Sequence, residues 1–317
     1  MIQNTDRQTL FPAIPTGCDP QWHTAAGTLP ILMTNDYLFR ALLQNNNYVL
    51  KGLVCSLLHL PFEAVQSVEI TNPILLGEAI DDKDFFLDVS VLLNNRTLIN
   101  LEMQVLNEHN WPERSLSYLC RTFDNLNSGS DYLTVKPAVQ IGILNFTLFP
   151  KHPEFYSTYR FMNEKNHTIY SDKIRLSVLN LTHIDLAADE DRKYHLDLWA
   201  SFFKAVTWED LNMLAKQDEF IKEASATVYQ LSQEEMIRLQ CQAREDYYRR
   251  QRTVQGLLER QQAALDSLEA KKASLEEENV SLKSETASLR EENISLKAKI
   301  ASLQKKNVSL QEESETL

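Results

Sequence analysis

Between Asp84 and Val105 the chain reads D-F-F-L-D-V-S-V-L-L-N-N-R-T-L-I-N-L-E-M-Q-V, two apolar stretches separated by Asn94, Asn95 and Arg96. Asparagine tolerates the positive φ of tight turns, so the pattern predicts two antiparallel strands joined by a hairpin. Side chains alternate between the faces of a strand. Leu87, Val89 and Val91 share one face of the first strand; Ile99, Leu101, Met103 and Val105 share one face of the second. The opposite faces carry Asp88, and Asn100, Glu102 and Gln104.

A hairpin symmetric about Asn95 sets Asp88 directly across from Glu102. Two carboxylates about 5 Å apart across strands repel each other. A divalent cation between them turns that repulsion into ligation, and hard oxygen ligands suit Mg²⁺ or Mn²⁺. The plain alternative is that one face of an antiparallel hairpin is wet and its acids are merely solvated.

At these residues the chain resembles a known family. An Asp, a short hairpin and Glu-x-Gln are similar to the core of the PD-(D/E)XK nuclease superfamily, and more closely to the PD-(D/E)XK nuclease family transposases, or recombination-promoting nucleases. Thr34 to Arg40 (T-N-D-Y-L-F-R) resembles that family's N-D-x-x-F-K/R helix. Arg114 to Tyr118 resembles its R-x-x-x-Y helix, and Tyr132 to Phe146 its Y-x-x-l-x-P-v-x-x-I-x-i-L-x-F segment. The resemblance covers about residues 31–185. It implies an α/β (α+β) domain with a restriction-endonuclease-like mixed sheet flanked by helices, and metal-dependent cleavage of DNA phosphodiesters.

The resemblance makes Asp88 and Glu102 metal ligands, and gives Gln104 the place where the superfamily usually has its catalytic lysine. An uncharged Gln supplies no cation, so charge on the phosphorus oxygens would fall to the metal. Asp36 is the candidate acid on the preceding helix. Lys83 replaces the lysine only if the chain curls back.

The charge balance pulls the other way. The chain of 317 residues carries a net charge of −12, which opposes broad DNA affinity. Residues 1–200 contribute 15 Lys and Arg against 23 Asp and Glu, and the remainder 17 against 21. A local basic strip would have to come from Arg96, Arg114, Arg121 and Lys136, which are otherwise scattered surface charges. Four cysteines without C-x-x-C spacing read as reduced thiols, and neither a signal peptide nor an 18-residue apolar run is present. A cytoplasmic protein with no membrane span is expected.

Residues 1–30, polar and with four prolines, read as a flexible tail. Residues 31–200 form the expected nuclease-like domain. Thr34 or Asn35 caps a helix beginning near Asp36, and apolar helical spacing continues to Leu60, before Pro61. An acid in the first turn of a helix also suits its dipole, which is the structural alternative for Asp36. A helix is expected from Trp111 to about Asn127; it carries Arg114, Tyr118 and Arg121 on one face, which could follow phosphates or be an ordinary wet face. Val139 to Phe146 reads as a central strand, with further strands at Tyr159 to Phe161 and Lys173 to Leu181. Residues 201–260 read as a helical extension.

From Ser267 the chain repeats every seven residues, with Leu268, Leu275, Leu282, Leu289, Leu296, Leu303 and Leu310 in one heptad position. This predicts a coiled coil over 261–317. Asn279, Asn293 and Asn307 then occupy the a position, which favours a parallel dimer. Glu278–Lys283, Glu285–Arg290 and Glu292–Lys297 pair across such a dimer. A lone helix stabilised by its charges is the alternative.

Two functions follow. One is a Mg²⁺- or Mn²⁺-dependent DNA endonuclease that dimerises through its tail, linked to mobile elements or recombination. The other is a nuclease-like DNA-binding or assembly protein that no longer cuts, which the missing lysine and the acidity favour. A purely structural coiled-coil protein leaves the carboxylate hairpin unexplained.

Overall fold

The structure, a computed structural model, describes residues 21–72, 88–126, 129 and 131–315, with side chains as far as residue 308. Lys83 and the first residues expected in the hairpin, Asp84 to Leu87, lie outside the described residues. The hairpin itself is present. β1 (Val68–Ile70) pairs antiparallel with β2 (Val89–Leu93), which turns into β3 (Thr97–Gln104). Val89 faces Leu101, Val91 faces Ile99 and Leu93 faces Thr97, a register symmetric about Asn95. Asn94 and Asn95 take φ of +50° and +56°, the left-handed region that asparagine tolerates. The Asn94 carboxamide oxygen accepts from the Gln66 and Ser67 amides at 2.7 and 3.1 Å, tying the turn to the chain ahead of β1.

Beyond the hairpin the sheet becomes mixed. β4 (Ala138–Leu144) runs parallel to β3, and β6 (Ile174–Asn180) parallel to β4. β5 (Tyr156–Tyr159) is antiparallel to β6 and closes the order β1-β2-β3-β4-β6-β5. The apolar run at Val139 is the central strand its composition predicted, buried along its whole length. A parallel neighbour requires a crossover, and α3 (Trp111–Phe123) sits in the one between β3 and β4.

The aliphatic face of the sheet, with Val89, Val91, Ile99, Leu101, Val139, Ile141 and Ile143, belongs to a core shared with α1 (Asp36–Asn45) and α2 (Asn47–Leu58). Asn35 caps α1 by accepting from the Tyr37 and Leu38 amides at 3.1 and 3.2 Å. The single helical stretch expected up to Leu60 is two helices. Asn46 leaves the helix at φ −132° and its side chain caps α2, accepting from Tyr48 and Val49 at 3.1 Å each.

The boundary expected at residue 200 does not separate two cores. Trp199, Phe202, Leu211, Ile221 and Leu231 join the sheet's own core, as do Ile237 and Cys241 at the start of the last helix. They come from α5 (Leu196–Lys204), α6 (Trp208–Ala215), α7 (Glu219–Gln233) and α8 (Glu235–Glu315), after the short α4 (Asp189–Lys193). α7 packs on α1 and α2, and burying its apolar stripe there is what merges the expected extension into the domain. Residues 21–30 also depart from the tail reading. Trp22 is wholly buried with Ala215 and Ala226, and the Leu29 amide donates to the Val206 carbonyl at 2.8 Å. One large ring outweighs a polar composition.

The chain divides into a first unit ending at Arg249 and a second beginning at Arg250. The second unit is helical through Glu315, and its heptad leucines from Leu268 to Leu303 are each more than half exposed.

α3 covers the other face of the sheet, forming a smaller core of Trp111, Leu119, Ala138, Leu144, Leu176 and Val178. The approach is close because residue 142 has no side chain: a Cβ there would stand 2.0 Å from the Trp111 ring. Gly142→Ala must therefore push α3 off the sheet. The expected loss is about 1–3 kcal/mol or more in urea unfolding; unchanged stability would mean that α3 is not held this tightly.

Candidate functional site

The face beneath α3 is polar where the hairpin meets β4. Continuing the β2–β3 register by one residue places Asp88 opposite Glu102, so the two carboxylates share this face with Ser90, Asn100, Gln104 and Gln140. Glu102, Gln104, Asn100 and Gln140 are all buried. Asn100 donates to the Gln140 side-chain oxygen at 3.0 Å and accepts from the Ser90 hydroxyl at 3.4 Å. Gln140 Nε2 lies 3.5 Å from Glu102 Oε2. The amide side chains thus form a ladder leading to the acids.

Each acid has its own arginine. Arg40, on α1, donates to the main-chain carbonyls of Asp88 and Asn72, while Asn72 Nδ2 donates to the same Asp88 carbonyl at 3.1 Å. The Asp88 carboxyl is raised by burial, opposed first by the charge of Arg40. Arg114, on α3, donates to Glu102 Oε1 from Nε and from Nη2, both at 2.8 Å. Burial pushes Glu102 up to about 7; Arg114 opposes this and the neighbouring Asp88 adds to it. The two acids therefore sense each other, as their register requires.

Tyr118 completes the rim. The guanidinium carbons of Arg114 and Arg121 lie 5.5 and 5.8 Å from its ring centroid. Arg114 and Tyr118 thus stand beside the acids and Arg121 stands against Tyr118, although α3 ends at Phe123 rather than near Asn127. Its C-cap residue Asp124 already leaves the helical region.

Other expected residues are elsewhere. Arg96 is exposed in the hairpin turn, about 20 Å of strand from Glu102. Lys136 precedes β4 at that same end of the sheet. Asp36 is buried at the start of α1, where both carboxylate oxygens accept from Arg244 of α8: Nε reaches Oδ1 at 2.9 Å and Nη2 reaches Oδ2. Removing one partner of such a buried pair costs about 3–5 kcal/mol. On these contacts Asp36 ties α8 to the domain and is not joined to Asp88 or Glu102. Arg40 and the Asn72 and Gln140 amides escaped the sequence reading, which put Asn100 on the acids' face without giving it a role. A polar Gln140 inside an otherwise apolar strand was the available signal; Arg40 and Asn72 had none beyond the motif containing Arg40.

A hard divalent cation fits the donors present. The register, carried one residue beyond Val89, sets the two carboxylates opposite each other, and Gln104 Oε1, two residues along the same face from Glu102, is buried with no hydrogen-bond partner among the described residues. Among the described residues no group of three His, Cys, Asp or Glu side chains gathers, so amide or main-chain oxygens would complete the set.

Residues 33–255 match the family model described as PD-(D/E)XK nuclease family transposase. The match runs well beyond the motifs of the first 185 residues and takes in α5 to α7, in keeping with their shared core. No curated protein and no solved structure matches the chain.

Glu102 also carries a pH signature. Its pKa is raised from 4.5 to about 7, so over that window the folded protein holds more proton than the unfolded chain and stability falls as pH rises. Relative to Glu102→Gln, the wild type is expected to lose unfolding free energy between pH 4.5 and about 7. Parallel stability curves for the two proteins in urea titrations would contradict the burial of this carboxyl.

Proposed function

Because the chain belongs to the PD-(D/E)XK nuclease family transposases, we propose that it is a metal-dependent DNA endonuclease using Mg²⁺ or Mn²⁺. The observation carrying this reading is the Asp88–Glu102 register on one buried face, with the unpartnered Gln104 oxygen beside it. Asp88 and Glu102 would hold the cation and Gln104 would orient it or the phosphate. A divalent cation held there would supply positive charge to the oxygens of the phosphate under attack. Burial and the amide ladder hold the acids in place beforehand, so little reorganisation is needed when the substrate arrives. Arg114, Tyr118 and Arg121 offer cations and a ring to the DNA backbone. The described cysteines are free, with Cys55 and Cys241 buried, which suits a reducing, cytoplasmic setting. No helix among the described residues is long and apolar enough to cross a membrane.

The heptads supply the second half of the proposal, a parallel homodimer through 261–317. The exposed leucine stripe needs a partner helix, and the Glu–Lys and Glu–Arg pairs across it favour a second copy in parallel. Two sites in one particle would serve cuts on both strands.

The competing reading is a relative that binds DNA without cutting. It draws on Gln104 in the lysine position and the net charge of −12. Plasmid nicking with Mn²⁺ separates them. Wild type should nick, and Asp88→Ala and Glu102→Ala should each lose roughly two orders of magnitude or more, as loss of a metal ligand or of major charge stabilisation does. Equal activity in all three proteins would defeat the catalytic assignment. In the full chain, Leu282→Lys with Leu289→Lys should convert a dimer to a monomer in sedimentation; a doubly substituted protein that stays dimeric would remove the heptads from assembly.

A further inference from the structure

Glu102 is not waiting bare for a cation. Arg114 places two donors on Oε1 at 2.8 Å, and its charge acts on Asp88 as well as on Glu102. The guanidinium therefore stands in the field of both acids, which is what a shared metal ion requires. We propose that Arg114 is a built-in counter-ion for Glu102 that a divalent metal displaces, so that the Arg114–Glu102 bond and metal binding compete. This rests on the reading of Asp88 and Glu102 as the metal ligands.

Three observations favour exchange over a fixed arrangement. First, a monovalent and a divalent cation within a few ångströms in a poorly solvated site repel strongly. Second, Arg114 has somewhere to go. Its Nη1 is already 3.7 Å from Glu108 Oε2, and the side chain is 31 % exposed while Glu102 is 7 % exposed. The Tyr118 ring, its centroid 5.5 Å from the guanidinium carbon, is a second neighbour for the displaced cation. Third, a buried acid left without any cation is costly. The arginine satisfies Glu102 when metal is absent, so the site stays assembled. Once displaced, the guanidinium is a positive group beside the metal site, the kind of charge that Gln104 does not provide. A bound phosphate is its natural acceptor. The opposing arrangement keeps Arg114 on Oε1 as a positioning residue and leaves Oε2, which Gln140 Nε2 approaches at 3.5 Å, for the metal. The two differ in sign: competition means that removing Arg114 tightens metal binding, whereas positioning means that it weakens it.

The test is calorimetric titration of MnCl2 into the full-length protein at pH 8.5, where proton competition is small, with thermal melting in parallel. Arg114→Gln should bind Mn²⁺ roughly tenfold or more tightly than wild type, as expected for releasing a charged hydrogen-bonded partner. Without metal it should melt below wild type, and Mn²⁺ should raise its Tm by more. Arg114→Lys keeps a charge for folding but loses the fork, and should shift affinity the same way by a smaller factor. Binding abolished by Glu102→Gln but unchanged or weaker in both Arg114 variants would overturn the exchange and leave the metal assignment standing. Indistinguishable Mn²⁺ binding in wild type, Glu102→Gln and the Arg114 variants would overturn both.

Discussion

The site exists because β2 and β3 pair in one register. Strand side chains repeat every two residues, so sliding one strand by a single position would drive Glu102 and Asn100 into the aliphatic layer and bring Leu101 and Ile99 out under α3. Several features hold the register. The two left-handed asparagines make the turn tight, and the Asn94 carboxamide clamps it to the segment before β1. The aliphatic face is closed by α1 and α2 on one side, and β4 reads the same register from the other edge of β3. Everything polar at the site inherits its position from that pairing.

The second organising effect is the cost of burying charge. Glu102, Asp36 and Arg40 are all buried, and each solution differs. Asp36 is neutralised by Arg244 on both oxygens, which suits a permanent tie between α1 and α8. Arg40 spends its donors on main-chain carbonyls of Asp88 and Asn72, fixing the backbone that presents the Asp88 carboxyl. Glu102 is compensated by a partly exposed arginine with a second acid nearby. That is a weaker seal than the Asp36 pair, and weaker compensation is what a carboxylate needs if it is to trade partners.

Much of this was legible from residue order. Alternation over Val89 to Gln104 disclosed both strands, the turn and the register that, carried one residue further, sets Asp88 opposite Glu102, because those depend on local geometry. The apolar stretch at Val139 disclosed the central strand, and Asn35 the start of α1. The leucine heptad was equally plain, since a seven-residue period has few other meanings. Asp36 was less transparent. An acid in a helix's first turn within a nuclease-like motif fits catalysis as well as structure, and its partner lies 208 positions away. The merging of α5 to α7 with the sheet core was hidden for the same reason: amphipathic helices declare that they need a partner but not which one.

The sequence alone thus determined the hairpin, its register, the acids on one face, and the heptad stripe, all set by contacts between residues near in the chain or by strict periodicity. Only the tertiary structure decided which charges meet. It brought Arg114 to Glu102 and Arg40 to Asp88, gave Asp36 to Arg244, and sent Arg96 to the far end of the sheet. Those choices follow from how α1, α3 and α8 pack, and packing between distant segments depends on shape and volume that no local pattern encodes.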